Sequence, residues 1–269
     1  MRDVLSQMSG FLLDCLFPIR CLGCGKNRED LPADERWICP ECLDMIGQRS
    51  EQVCPWCKEG SVGGETHGPC KAYTSLDGLW SCAYYDDLLE RAIHNFKFGF
   101  MTGISYPLSE LMIRSIVEAG AAGPFQEMML AGVGKEAEES IYIGAMVEGD
   151  RNRAVLIPVP LHKRRYAERG FNQSELLARR IGERFPIPVK SCVLDRIRNT
   201  KPQSKTAGRE ERMRNLKSAF TCVRPDEIRG KDILLVDDIC TTSATLDECA
   251  RELKRCGARR VWGFVTARK

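Results

Sequence analysis

The sequence has no apolar run long enough to cross a membrane, and its N-terminal apolar stretch is broken by Arg2, Asp3 and Asp14, so it has no secretory leader pattern. It also has little net charge, a formal +3. These absences point away from a membrane-spanning or exported chain and towards a cytoplasmic one. Its many cysteines are then expected to be reduced and to act as metal ligands rather than as disulfides.

Fourteen cysteines are present in 269 residues, and nine of them precede residue 83. Cys21 and Cys24 form a C-x2-C pair, and Cys39 and Cys42 a second. Such pairs make tight knuckles, each presenting two thiolates, and two knuckles complete a tetrahedral zinc site. Cys54 and Cys57, followed by His67 and Cys70, offer a further two-plus-two set. Spacing leaves open whether the pairs serve in order or interleave, and whether His67 is a ligand or merely solvated. With four protein ligands each, such sites have no open position for a substrate, so they imply scaffolding. Cys15, Cys82, Cys192, Cys222, Cys240, Cys249 and Cys256 lack paired spacing, and most are expected in the core. Leu5, Met8, Leu12, Cys15 and Leu16 recur at helical spacing, which predicts a docking helix over 4–16.

The small net charge conceals an asymmetry. From Arg151 to Lys231 there are 21 Lys and Arg against 8 Asp and Glu, and the remainder has 19 against 29. A basic segment of this size suits an anionic ligand such as phosphates or nucleic acid; the alternative is a solvated Arg-rich helix face. Within it, Tyr166 and Phe171 lie among "HKRRYAERGFNQ", a mixture that suits single-stranded nucleic acid unless the aromatics fill the core.

After residue 75 the pattern becomes one of short aliphatic strands separated by helices. Strands are expected at "LWSCAYY", 154–160, "IPVKSCV", "SAFTCV", 232–238 and "RRVWGFVTA". Helices are expected at "LLERAIHNFKFG", "ISYPLSELMIRSIVEAG", 172–184 and 243–256. Residues 119–150, Gly/Ala-rich and acidic, read as a surface insertion. The sum is an α/β fold, a parallel sheet covered by helices on both faces over 76–269, behind a Cys-rich zinc module over 1–75.

In "ILLVDDICTTSAT" (233–245), Asp237 and Asp238 end a buried strand, and the turn into the next helix is rich in Thr and Ser. Ligands of such sheets bind at the carboxyl ends of strands, and the free N–H groups of a helix start suit a phosphate. Two adjacent carboxylates accept well from two ribose hydroxyls, so a ribose 5-phosphate fits both halves.

This stretch resembles the PRPP-binding motif of type I phosphoribosyltransferases. Together with "CLFPIRCLGCG…WICPEC", "IHNFKFG", "IPVPLHKRRYAERGFNQSELLAR" and "TKPQS…R…NLKSAF", it resembles the ComF family of competence-associated proteins (ComFC and GntX-like). The resemblance implies a Rossmann-like phosphoribosyltransferase domain, PRPP with Mg²⁺, a link to DNA uptake and its machinery, and contact with single-stranded DNA. It implies ribose binding by Asp237 and Asp238 and phosphate binding by Cys240, Thr241, Thr242, Ser243, Ala244 and Thr245. It also implies a pyrophosphate-facing loop after Pro160 with Arg165 and Arg169, and a flap over 196–217 with Arg198, Lys201, Arg209 and Arg212. Lys97 either faces the site or snorkels from its helix end.

Ser243 departs from the family pattern, which has Gly in that place. A left-handed backbone there would cost Ser on the order of 1 kcal/mol. Two functions follow: a phosphoribosyltransferase whose acceptor is unreadable, or a non-catalytic module binding single-stranded DNA or a protein partner on the same fold.

Overall fold

The computed structural model describes residues 19–119, 124–130, 153–185, 187–199 and 216–269. The expected helix over 4–16, Cys15, most of the 119–150 stretch, and Lys201, Arg209 and Arg212 lie outside the described residues.

Four parallel strands form the main sheet: β1 (Gly78–Tyr84), β2 (Ala154–Pro158), β5 (Asp232–Cys240) and β6 (Arg260–Arg268), in the order β1-β6-β5-β2. Period-two alternation along β5 explains its unbroken apolar run. Leu234 and Val236 enter one core, with Trp80, Leu156, Trp262 and Phe264. Ile233 and Leu235 enter the other, with Val155, Ile157, Val261 and Val265. Both faces are buried, so both sets of side chains are aliphatic or aromatic.

The first core is covered by α2 (Asp87–Phe98), α3 (Ser105–Glu118), α4 (Pro124–Leu130) and α6 (Gln173–Arg184), following α1 (Pro40–Asp44) and α5 (Lys163–Arg169) in the numbering used here. The helix starts are legible locally: Asp86 and Asn172 accept from Leu89 N and Ser174 N as N-caps. The second core is covered by α7 (Ala244–Arg255) and by a hairpin of β3 (Leu194–Arg196) and β4 (Phe220–Cys222).

Three expectations need correction. The start of the supposed surface insertion is helix α4, whose Phe125 is fully buried and stacks on Trp80 with ring centroids 5.1 Å apart. Its apolar side faces the sheet even though the surrounding composition is weakly apolar. "SAFTCV" does not join the parallel sheet; it pairs antiparallel with β3, and Glu248 and Glu252 of α7 accept from Ser218 N and Cys222 N. "IPVKSCV" makes only a single parallel bridge, Val189 to Leu156, because Pro188 has no N–H to extend a ladder.

The unpaired cysteines divide. Cys82, Cys240 and Cys249 are buried as expected, Cys222 and Cys256 are half-buried, and Cys192 is exposed. Among the described residues, no helix is long and apolar enough to cross a membrane.

Candidate functional site

Two clusters that could hold a metal ion stand in the N-terminal module. Cys21, Cys24, Cys39 and Cys42 form one; Cys54, Cys57, His67 and Cys70 form the other; in each, the four ligand atoms lie within 4.8 Å of one another. The pairs therefore serve in order, and His67 belongs to its cluster. Zn–S bonds of about 2.3 Å place tetrahedral sulfurs about 3.8 Å apart. The Cys21–Cys39 and Cys24–Cys39 separations of 3.6 and 3.9 Å fit that edge. His67 turns Nδ1 towards Cys57 Sγ at 3.3 Å and Nε2 towards the Gly60 carbonyl at 3.1 Å. A Nε2–H donating to that carbonyl leaves Nδ1 as the ligand atom.

The knuckles repeat one design at an offset of 33 residues. Gly25 N donates to Cys21 O and Lys58 N to Cys54 O. Cys21 N donates to Lys26 O, and Cys54 N to Glu59 O. The residue after each second cysteine is left-handed, Gly25 at φ 72° and Lys58 at φ 69°. Gly23 allows close approach: a Cβ there would lie 2.6 Å from Cys42 Sγ.

The second site is at the carboxyl end of β5. Asp237 Oδ1 accepts from Ser174 Oγ at 2.9 Å and from Asp238 N at 3.0 Å. Asp238 is buried, with Lys97 Nζ 2.8 Å from its Oδ1. Lys97, at the end of α2, thus faces the site rather than snorkelling away. Burial, and next the adjacent Asp238 charge, push the Asp237 carboxyl up to about 7, against the pull of Lys97.

That shift has a testable consequence. The native Asp237 carboxyl holds its proton up to about pH 7, whereas an unfolded one loses it near pH 3.9. The stabilisation is fully present below the unfolded value and is lost as pH rises through about 7. Asp237→Asn keeps the acceptor for Ser174 and cannot ionise. Urea midpoints should give it more extra stability at pH 8.5 than at pH 5, by on the order of 2–3 kcal/mol. Equal changes at both pH values would mean that Asp237 is ionised throughout.

Arg165 and Arg169 are both on α5, so the expected loop after Pro160 is a helix. His162 accepts from Arg164 N as its N-cap, and Gly170 closes it in the left-handed region. Arg169 donates to Gln173 Oε1 at 3.0 Å and stacks over Phe98, 5.0 Å from the ring centroid. Burial, then the Arg165 charge, lowers the Arg169 pKa, offset by Asp237 and Asp238; burial and Arg165 likewise lower that of Arg196. Arg165 and Arg169 share a cleft with Lys97, an arrangement that offsets a polyanion, whereas the Arg196 guanidinium stacks over Phe220, 5.4 Å from the ring centroid. Among the described residues, Arg164 and Arg179 lie on solvated helix faces, paired to Glu168 and Glu175. Phe171 packs into the core against Phe96, whereas Tyr166 is exposed.

Thr241, Thr242 and Ser243 connect β5 to α7, and Thr245 lies in the first turn of that helix. The Cys240 and Ala244 side chains are buried in the second core, so only their backbones can serve a ligand. Ser243 is left-handed, at φ 61° and ψ 0°, as the Gly of the family pattern suggests. Its hydroxyl donates to the Pro55 carbonyl at 3.2 Å. Ser174, Arg196 and Arg268 carry no signal in the sequence, because nothing local ties Ser174 to a partner 63 positions away or Arg268 to partners 213 and 214 positions away.

Comparisons with known proteins agree with this architecture. The family profile for the phosphoribosyl transferase domain matches residues 167–269. Competence protein F of Haemophilus influenzae is 27% identical over 256 residues, covering 93% of this chain and 98% of the relative. The DNA utilization protein YhgH of Escherichia coli O157:H7 is 30% identical over 228 residues, 83% of this chain and 87% of the relative. Competence protein ComFC of Bacillus subtilis (strain 168) is 27% identical over 227 residues, 84% of this chain and 81% of the relative.

Proposed function

The chain belongs to the ComF family of competence-associated proteins, and from that premise we propose that it binds PRPP with Mg²⁺ and acts in DNA uptake or use as a phosphoribosyltransferase. The observation that carries the reading is the pairing of Asp237 and Asp238 with a helix-start loop on one strand end, with Lys97 on Asp238 and a cleft that Lys97 shares with Arg165 and Arg169.

Asp237 and Asp238 hold the ribose hydroxyls, and the N–H groups at the start of α7, with Thr241, Thr242 and Thr245, hold the 5′-phosphate. Ser174 fixes the Asp237 carboxylate, and Lys97 holds Asp238 until a hydroxyl displaces it. Arg165 and Arg169 offset the charge of the departing pyrophosphate. Lys201 and Arg209, in the flap stretch, would add to that charge on closure. Mg²⁺, arriving with the ligand, would supply charge neutralisation at its pyrophosphate. As the bond from C1 to pyrophosphate breaks and the bond from the acceptor's nucleophile to C1 forms, positive charge develops on the ribose ring, and the carboxylates on its hydroxyls stabilise it. Both Cys/His clusters hold Zn²⁺ as structural metal, by the donor set and spacing described above.

A second reading has its own support. Phe98 and Phe100 are 60% and 66% exposed and share a cleft with Lys97, Arg165 and Arg169. Phe100 is held at φ 55°, a backbone cost for an exposed aromatic. Bases stacking on these rings, with phosphates on the arginines, would make the chain a single-stranded-DNA-binding module of the uptake machinery.

Calorimetry tests the choice. PRPP heats that require Mg²⁺ support the first reading. Heats from a short oligodeoxynucleotide alone, abolished in Phe100→Ala, favour the second.

A further inference from the structure

The second Cys/His cluster lies against the loop that the proposed function assigns to the 5′-phosphate. Cys54-Pro55-Trp56-Cys57 is a knuckle between two ligands, and its outward carbonyls are acceptors. Ser243 Oγ donates to Pro55 O at 3.2 Å. Arg268, buried at the end of β6, donates to Cys54 O and Pro55 O, both at 3.4 Å. Arg268 is the register partner of Cys240, the last residue of β5 before the loop, and Lys269 N donates to Cys240 O. One turn into α7, Asp247 Oδ1 accepts from Thr74 Oγ1 at 2.7 Å and from Ser75 N at 2.6 Å. The chain that leaves the cluster is thus bonded to the same helix whose N-terminus the loop forms.

We propose that the metal-bound Cys54/Cys57/His67/Cys70 knuckle is the clamp that fixes the 241–245 loop, with Ser243 and Arg268 as its positioning residues. A left-handed Ser is unfavourable in itself. A carbonyl at hydrogen-bonding distance from its hydroxyl offsets that cost, and this carbonyl exists in the right place only while the knuckle is closed around its metal. Loss of the metal frees the Cys54 and Pro55 carbonyls to rotate, leaves Arg268 without rigid acceptors, and lets Ser243 relax out of the left-handed region. The N–H groups then no longer converge. The clamp itself is independent of which ligand the loop holds, but its effect on affinity rests on the PRPP reading.

The test uses the full-length protein and Cys57→Ser, which removes an exposed ligand of the second cluster. Metal analysis should find one zinc fewer per chain. Without any ligand, hydrogen exchange of the 240–246 amides should accelerate at least about tenfold, and the PRPP–Mg²⁺ dissociation constant should rise at least about tenfold. Metal loss with unchanged exchange in 240–246 overturns the clamp. Accelerated exchange in a protein whose wild type binds no PRPP upholds the clamp and removes the PRPP reading instead. If Cys57→Ser does not fold, Ser243→Ala answers the question with the metal in place. It keeps the strained backbone and loses the hydroxyl, so it should accelerate the same amides and weaken PRPP about tenfold. Ser243→Gly, which relieves the strain as it loses the bond, should stay within about tenfold of wild type. A Ser243→Ala protein indistinguishable from wild type in exchange overturns the clamp.

Discussion

Asp238→Ala is expected to weaken PRPP binding by about ten- to a hundredfold at pH 8, the equivalent of roughly 1.5–3 kcal/mol for charge-assisted hydrogen bonds. Asp238 is buried, and its charge is already matched by Lys97 at 2.8 Å. Its removal has two effects in addition to the lost acceptor. Lys97 loses its partner in a half-buried position, and Asp237 loses the like charge that, after burial, does most to raise its pKa. The Asp237 carboxyl should therefore titrate lower in the variant, keeping one ionised acid at the site. For that reason the loss should not exceed the stated range, and Asp237→Asn with Asp238→Ala should fall further than either change alone. Calorimetry with PRPP and Mg²⁺ gives the answer. An affinity in Asp238→Ala equal to wild type would mean that the acids do not hold the ribose.

Opening the first metal cluster is expected to have the largest effect on stability. Cys21 and Cys39 are 2% and 1% exposed, and they pack with Leu43, Ile46, Leu89 and Ala92 in the first core. The cluster therefore joins the N-terminal module to the sheet domain, aided by Arg91 donating to Leu22 O and Arg114 pairing with Asp44. A module of this size cannot bury enough apolar surface by itself, and metal binding supplies folding free energy. Cys39→Ser leaves a buried ligand set one thiolate short and should cost at least about 4 kcal/mol. For a chain of this size that is a fall in melting temperature of about 10 °C. Purified wild type should contain two zinc ions per chain, by the four-ligand sets described above. Less than one zinc per chain in a fully folded protein would defeat the metal assignment.

The contact between the second Cys/His cluster and the loop after β5 changes the meaning of Ser243. In the sequence, Ser in place of Gly is a defect, a residue that strains a phosphate loop. In the structure the backbone is indeed left-handed, but the hydroxyl is occupied with Pro55, 188 positions away. The substitution and the neighbouring knuckle form one unit, so the departure from the family pattern is no argument against ligand binding.

What the sequence determined by itself was whatever depends on short spacing. The C-x2-C pairs name ligands because four residues suffice to build a knuckle. The apolar run before Asp237 names a buried strand because alternation is absent when both faces are covered. The N-caps Asp86 and Asn172 and the loop before α7 are likewise local. Tertiary structure alone decided the rest. It decided which pairs come together, since knuckles of equal spacing pair by where the chain carries them. It turned Lys97 towards Asp238, because a helix-end lysine has two possible directions and only the carboxylate at the end of β5 selects one. It buried Phe125 in a stretch whose composition reads as surface, because one apolar helix face is enough to find a sheet. And it joined Ser243 and Arg268 to the Pro55 carbonyl, a contact for which no periodicity exists because its partners meet only when the module and the sheet are folded together.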